Sequence, residues 1–252
     1  MKIKNDNKMN RYVIIDSRIR EIEQKYIENL GYSVVKIIPN LAVYPEISSH
    51  TDIFCCKIKN ELILEENLYN SYINSNLYKE LFEKIHVIKT NTNITKNSTA
   101  YNVCVTSKYA IHNFKYTDDS ILDCIEKAGL QKINVKQSYT KCNISIVNDN
   151  SIITCDKGIA NELKKYSDID LLYINSNDIN IKLKNEKGYS SMSGFIGGAT
   201  CVLDDKFILF GDSNNINEIA RDKIIKFIEN KDLKFIDFKG LDIIDYGGIV
   251  EI

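Results

Sequence analysis

Apolar and polar positions along this chain recur in one block order. Four stretches each show a short apolar strand, a polar turn, a second apolar strand, a stretch of helical period and a third strand. Apolar runs paired around Asn, Asp or Lys turns signal hairpins, whereas spacing of i, i+3, i+4, i+7 signals an amphipathic helix. The first block runs from Asp52–Cys56 through a turn at Lys59-Asn60 to Leu62–Leu64, then a helix near Ser71–Ile85 and a strand at Val87-Ile88. The second has Asn102–Val105, a turn at Ser107-Lys108, Tyr109–Ile111, a helix over Asp118–Ala128 and Ile133–Val135. The third has Asn143–Val147, a turn at Asp149-Asn150, Ile152-Ile153, a helix over Gly158–Tyr166 and Leu171–Ile174. The fourth has Thr200–Leu203, a turn at Asp204-Asp205, Phe207–Phe210, a helix over Asn217–Glu229 and Phe235–Phe238. Ile224, Ile225, Phe227 and Ile228 form the apolar stripe of that last helix, and Gly31 and Gly129 stand where a helix needs a C-terminal cap.

The two ends complete the pattern. Tyr12–Ile15, a helix over Ser17–Leu30 and Ser33–Ile37 make a block without its first strand, and Gly248–Ile252 is a first strand without the rest. Joined, they predict a fifth unit, paired chain termini and a closed ring without exposed sheet edges. The expectation is one α/β domain over residues 1–252, built of five ββαβ units with pseudo-fivefold symmetry. Its length of 252 residues suits a closed α/β architecture. An open α+β sheet with accidental regularity is the alternative.

Composition adds exclusions. With 44% hydrophobic and 27% charged residues the chain has the make-up of a globular protein rather than a disordered one. A net charge of −1 with both signs interspersed offers no basic face for a phosphate backbone, so nucleic acid is not expected as a partner. No run of eighteen apolar residues occurs and Met1–Arg11 is polar, so neither membrane insertion nor export is expected. Seven cysteines, an odd number without a CxxC pair, argue against a disulfide framework or a zinc ribbon and for reduced thiols in a cytoplasm, most of them small core hydrophobes. Cys55 and Cys56, adjacent on a strand, point to opposite faces and do not chelate as a pair. No phosphate-loop, dinucleotide, zinc-protease or serine-hydrolase motif is present. His86 and His112 lack carboxylate or cysteine neighbours and read as structural, while Asp118-Asp119 and Asp204-Asp205 read as a helix cap and a hairpin turn.

Two motifs carry candidate chemistry. His50-Thr51-Asp52-Ile53-Phe54 opens the first block, and Gly247-Gly248-Ile249-Val250-Glu251 forms the C-terminal strand, with Gly197-Gly198 before the corresponding strand one block earlier. A structural reading of each stands beside the functional one: a loop histidine with Asp52 capping a turn, and glycines that let converging strands pack. Together with the block order over nearly the whole chain, these motifs resemble the pentein fold, the five-bladed α/β propeller of the guanidino-group-modifying enzymes that include agmatine deiminase, arginine deiminase and dimethylarginine dimethylaminohydrolase.

The resemblance implies a general acid/base at His50, a guanidinium-binding carboxylate at Asp52, a substrate-binding carboxylate at Glu251 and no metal or organic cofactor. Such enzymes hydrolyse through a covalent thiol intermediate, which needs an activated thiolate. Their cysteine stands in the C-terminal strand, where this chain has Glu251. Taken around the ring from His50, the corresponding thiol is Cys142, a few residues before the family position, which Ile146 holds; Cys201 in Gly-Gly-Ala-Thr-Cys is the other candidate. Residues opening the first strands are expected to converge on one pocket: His50, Asp52, Asn102, Cys142, Asn143, Thr200, Cys201, Gly248 and Glu251. Two functions remain open. One is a hydrolase of a guanidine or amidine C–N bond in a small cationic substrate; the other is a non-catalytic binding or assembly protein on the same scaffold.

Overall fold

The computed structural model describes residues 11–185 and 187–252; the polar opening read over Met1–Arg11 lies, apart from Arg11, outside the described residues. Among the described residues six three-stranded sheets are present, and each has one outer strand antiparallel to the middle strand and the other parallel to it. β1 (Arg11–Asp16) and β2 (Tyr32–Ile37) are parallel and joined by α1 (Glu21–Asn29). One helical turn, α2 (Thr51–Phe54), leads into β3 (Cys55–Ile58), followed by β4 (Glu61–Glu65), α3 (Glu66–Ile73), α4 (Lys79–Lys84) and β5 (Val87–Thr90). Next come β6 (Cys104–Val105), β7 (Tyr109–His112), α5 (Asp119–Lys127) and β8 (Gln131–Asn134). The turn α6 (Thr140–Asn143) opens the following unit, with β9 (Ile144–Ile146), β10 (Ser151–Thr154), α7 (Lys157–Leu163) and β11 (Asp170–Tyr173). A hairpin, β12 (Ile181–Asn185) and β13 (Gly188–Ser193), precedes β14 (Thr200–Leu203), β15 (Lys206–Leu209), α8 (Glu218–Glu229) and β16 (Lys234–Ile236). The chain closes with β17 (Ile243–Ile244) and β18 (Val250–Glu251).

Burial explains the shared pattern. The middle strands β1, β4, β7, β10 and β15 carry Ile14, Ile63, Ile111, Ile153 and Ile208, all fully buried. These are the strands covered on both faces, and parallel pairing with a helical crossover supplies that cover. The expected pairing of the chain ends is present: β18 runs antiparallel to β1 with Val13 opposite Glu251 and Ile14 opposite Val250, and the Ile252 amide donates to the Tyr12 carbonyl at 2.9 Å.

The structure departs from the sequence reading in three places. The helix expected over Ser71–Ile85 is two helices, because Tyr72 stacks on Phe82 at 4.3 Å and meets Tyr78 edge-on, folding the second helix against the first. The strands expected from Asp52, Asn102 and Asn143 begin later, at Cys55, Cys104 and Ile144, the first and the last each after one helical turn. A sixth sheet, β13-β12-β17, was not expected; it turns through Gly188 at φ +123°. Among the described residues no helix is long and apolar enough to cross a membrane.

Candidate functional site

The segments that open the first strands hydrogen-bond to one another in sequence. Asn102 Nδ2 donates to the Asp52 carbonyl at 3.3 Å, and the Lys141 amide donates to the Asn102 carbonyl at 3.1 Å and to its Oδ1 at 2.8 Å. The Gly197 and Gly198 amides donate to the Cys142 carbonyl at 2.6 and 3.2 Å, and the Gly248 amide donates to the Gly198 carbonyl at 3.0 Å. Thr51 Oγ1 donates to the Gly248 carbonyl at 3.2 Å, which returns the series to its start. Glycine is compelled here by close approach. A Cβ on Gly198 would lie 1.9 Å from Asp245 Oδ1, and one on Gly247, whose φ is +70°, would lie 2.7 Å from the His50 Cβ and 2.8 Å from Asp52 Oδ1.

Behind Gly247 the His50 ring stands between two carboxylates, with Nδ1 3.7 Å from Asp245 Oδ1 and Nε2 3.8 Å from Asp16 Oδ2. All three residues are buried. Burial pushes the imidazole below its ordinary range, although Asp245 and Asp16 pull the other way. Burial would raise Asp16, yet Arg18, His50 and Ser49 overcome it and hold that carboxyl low. Arg18 Nε donates to Asp16 Oδ1 at 3.0 Å and Ser49 Oγ at 2.7 Å. Asp245 accepts the Phe195 and Gly247 amides at 2.8 Å each, but burial still raises its carboxyl.

On the other side of Gly247 lies a cavity of ≈ 230 Å³ whose wall includes Asp52, Lys141, Cys56, Lys57 and Glu251. Both Asp52 oxygens are buried without a hydrogen-bond partner among the described residues. Burial pushes this carboxyl up to about 6, against the opposing pull of the Cys142 thiol, the Lys141 ammonium and the Asn102 amide. A buried acid without partners is costly unless something arrives to satisfy it.

The other residues singled out from sequence divide by position. Cys142, 4% exposed, points its thiol at Asn102 Oδ1 at 3.4 Å; burial and the neighbouring Asp52 and Asp245 raise it well above its ordinary range. It is not on the cavity wall. Cys201 packs in a separate cluster with Val13, Ile208 and Phe210, where burial raises its thiol. Asn143 donates to the Tyr139 carbonyl at 2.7 Å and Thr200 Oγ1 to the Ile196 carbonyl at 2.9 Å, both local backbone bonds. Glu251 sits at the cavity mouth, its carboxylate 3.5 Å from the Arg11 guanidinium, while its carbonyl accepts Lys57 Nζ at 2.7 Å. The structure thus gathers His50, Asp52, Asn102, Cys142 and Gly248 at the centre and places Asp52 and Glu251 on one cavity, with His50 shielded from it by Gly247.

Asp16, Arg18, Lys141 and Asp245 were not singled out from sequence. Asp245 stands two residues before Gly247-Gly248, and Asp16 ends the apolar run Val13-Ile14-Ile15, so an ionisable residue at the end of a buried strand was the available signal. His112 is structural, fixed between Thr117 Oγ1 at 2.6 Å and the Ser138 carbonyl at 2.7 Å, with burial pushing it to about 4. His86 is exposed beside Glu61 at 3.3 Å.

The same arrangement of elements occurs in solved structures. Dimethylarginine dimethylaminohydrolase from Pseudomonas aeruginosa, complexed with citrulline, is 10% identical over 93% of both chains with a TM-score of 0.55. The C. jejuni agmatine deiminase with substrate bound is 14% identical over 92% of this chain and 88% of its own, with a TM-score of 0.51. An amidinotransferase of the saxitoxin biosynthetic pathway from Microseira wollei is 13% identical over 87% of this chain and 72% of its own, with a TM-score of 0.54. No curated protein matches the sequence. The chain therefore has the pentein α/β fold of the guanidino-group-modifying enzymes. The chain belongs to the family described as a family of unknown function (DUF6873), whose model matches residues 14–250.

Proposed function

We propose that the chain is a hydrolase of a guanidine or amidine C–N bond in a small cationic substrate, its five like units forming the blades of a closed propeller. The observation that carries this reading is Asp52, a buried carboxylate with no partner on the wall of a cavity, beside the Cys142 thiol. A cation seated on Asp52 neutralises a charge that raises the Cys142 thiol, and so makes the thiolate easier to form. The reaction requires the Cys142 sulfur and the His50 ring, both off the cavity wall, to reach the bound amidinium: Cys142 then gives its proton to neutral His50 and its sulfur bonds to the amidinium carbon. The carbon–nitrogen bond then breaks, the amine leaves with the His50 proton, and water hydrolyses the sulfur–carbon bond to restore the thiol. Asp16 and Asp245 stabilise the His50 imidazolium between these steps, and Glu251 meets the substrate at the cavity mouth. No cofactor enters this scheme.

A second reading, non-catalytic capture of the cation, is favoured by the burial of Cys142 and its place off the cavity wall. Arginine, agmatine and methylarginine, assayed for ammonia, amine and ureido product alongside thermal shift, separate the two. Hydrolysis predicts product from the native chain, none from Cys142→Ser with its thermal shift retained, and neither product nor shift from Asp52→Asn. A thermal shift that Asp52→Asn abolishes, without product from the native chain, supports capture instead. No shift with any of the three refutes a site for these substrates.

A further inference from the structure

We propose that Asn102 is a positioning residue that tethers the Cys142 thiol away from the central cavity, so that the sulfur must leave Asn102 before it meets anything bound there. The importance this gives to Cys142 rests on the reading of that residue as the nucleophile. Asn102 is fully buried and, like Cys142, is not on the cavity wall. Its side-chain amide is engaged at both ends. Nδ2 donates to the Asp52 carbonyl at 3.3 Å, while Oδ1 accepts the Lys141 and Cys142 amides at 2.8 and 3.3 Å and the Cys142 thiol at 3.4 Å. One side chain thus joins the turns α2 and α6 and also holds the sulfur that α6 carries.

The backbone bonds fix which end of the amide faces the sulfur. Turned over, the group would set its own N–H donors against two backbone N–H donors and its oxygen against the Asp52 carbonyl, and buried polar groups left so are costly. Oxygen therefore faces Cys142, and the thiol hydrogen is aimed at a fixed acceptor. The other acceptor it meets among the described residues is the Tyr139 carbonyl at 3.9 Å, on the residue that caps the same turn. Neither acceptor lies on the cavity wall, so both keep the sulfur off it. A thiol is a weak donor, which makes this bond sufficient to set the resting position of the sulfur and weak enough to give up when a ligand arrives.

The tether can be read on the thiol itself, without turnover. Raman difference spectra of the native protein minus Cys142→Ala isolate the Cys142 S–H stretch, expected below the frequency of an unbonded thiol; a band at the unbonded frequency overturns the proposal. Peptide-mapped alkylation by iodoacetamide supplies the second reading. Asn102→Ala should speed alkylation of Cys142 about fivefold, the scale of one lost hydrogen bond, whereas buried Cys104 keeps its native rate. Asn102→Asp, which keeps an acceptor oxygen in place, should restore the slow rate. Equal acceleration of Cys142 and Cys104 would show a general loosening, and an unchanged Cys142 rate in folded Asn102→Ala would show no tether; either result overturns the role of Asn102. If both readings hold while the native chain forms no product from arginine, agmatine or methylarginine, the tether stands and the hydrolase reading falls.

Discussion

Asp52 concentrates the energetic consequences of this site in one side chain. In the unfolded chain it titrates near 3.8, and in the fold burial moves it to about 6. The folded protein therefore keeps a proton that the unfolded chain has already released. The associated stability is complete below pH 3.8 and is lost as pH rises through 6, an amount on the order of 2–3 kcal/mol. Denaturant titrations at pH values from 4 to 7 should show the native chain losing that much stability relative to Asp52→Asn. A constant difference across the range would show that the carboxyl is solvated. His50 and Asp52 were legible in the sequence because the spacing of His-x-Asp is local. Asp16, Asp245 and Lys141 were not, because they meet His50 and Asp52 only after distant segments close on one another.

At the scale of elements, the addition to the five units is the β12–β13 hairpin, and Arg18 ties it down. The guanidinium donates to the Lys184 carbonyl on β12 at 2.8 Å, to the Pro45 and Glu46 carbonyls at 2.9 and 2.8 Å, and to the buried Asp16 carboxylate that ends β1. One side chain thus joins three segments around the His50 side of the centre. Removing its guanidinium leaves Asp16 charged and buried, with only the Ser49 hydroxyl and the backbone amide of residue 18 as hydrogen-bond donors, a loss of about 3–5 kcal/mol for a broken buried pair. Arg18→Met should lower stability by that order and speed amide exchange across residues 181–193, while Asp16→Asn with Arg18 retained should cost less. Unchanged exchange in the hairpin would mean that its own strand bonds hold it. The paired strands and helices of the units were legible from periodicity. The hairpin was not, because Ile181 and Leu183 alternate with Lys182 and Lys184 outside the recurring block order, and its third strand β17 comes from residues more than fifty positions away.

For the whole molecule, the decisive contact is between the two ends of the chain. β18 supplies the strand that β1 lacks, and its preceding Gly247-Gly248 pair bonds to Gly198 and to Thr51. Without it β1 loses its antiparallel neighbour, and the bonded series that links Asp52, Asn102, Cys142 and Gly198 no longer returns to its start. The cavity wall loses Gly247, Ile249, Val250 and Glu251 in the same step. Fully buried Ile14 would face water, and β1 would become an open edge. The end-to-end pairing was foreseeable because the two partial blocks complement each other, whereas the intervening hydrogen bonds depend on backbone geometry that no residue pattern encodes. Deletion of residues 247–252 should therefore abolish the cooperative thermal transition seen by circular dichroism, or lower its midpoint by tens of degrees. Adding those six residues back as a separate peptide should recover part of it in a concentration-dependent way, because binding to the folded form alone stabilises by mass action. A truncated chain that melts like the native one would show that the end-to-end strand pair contributes nothing to holding the units together.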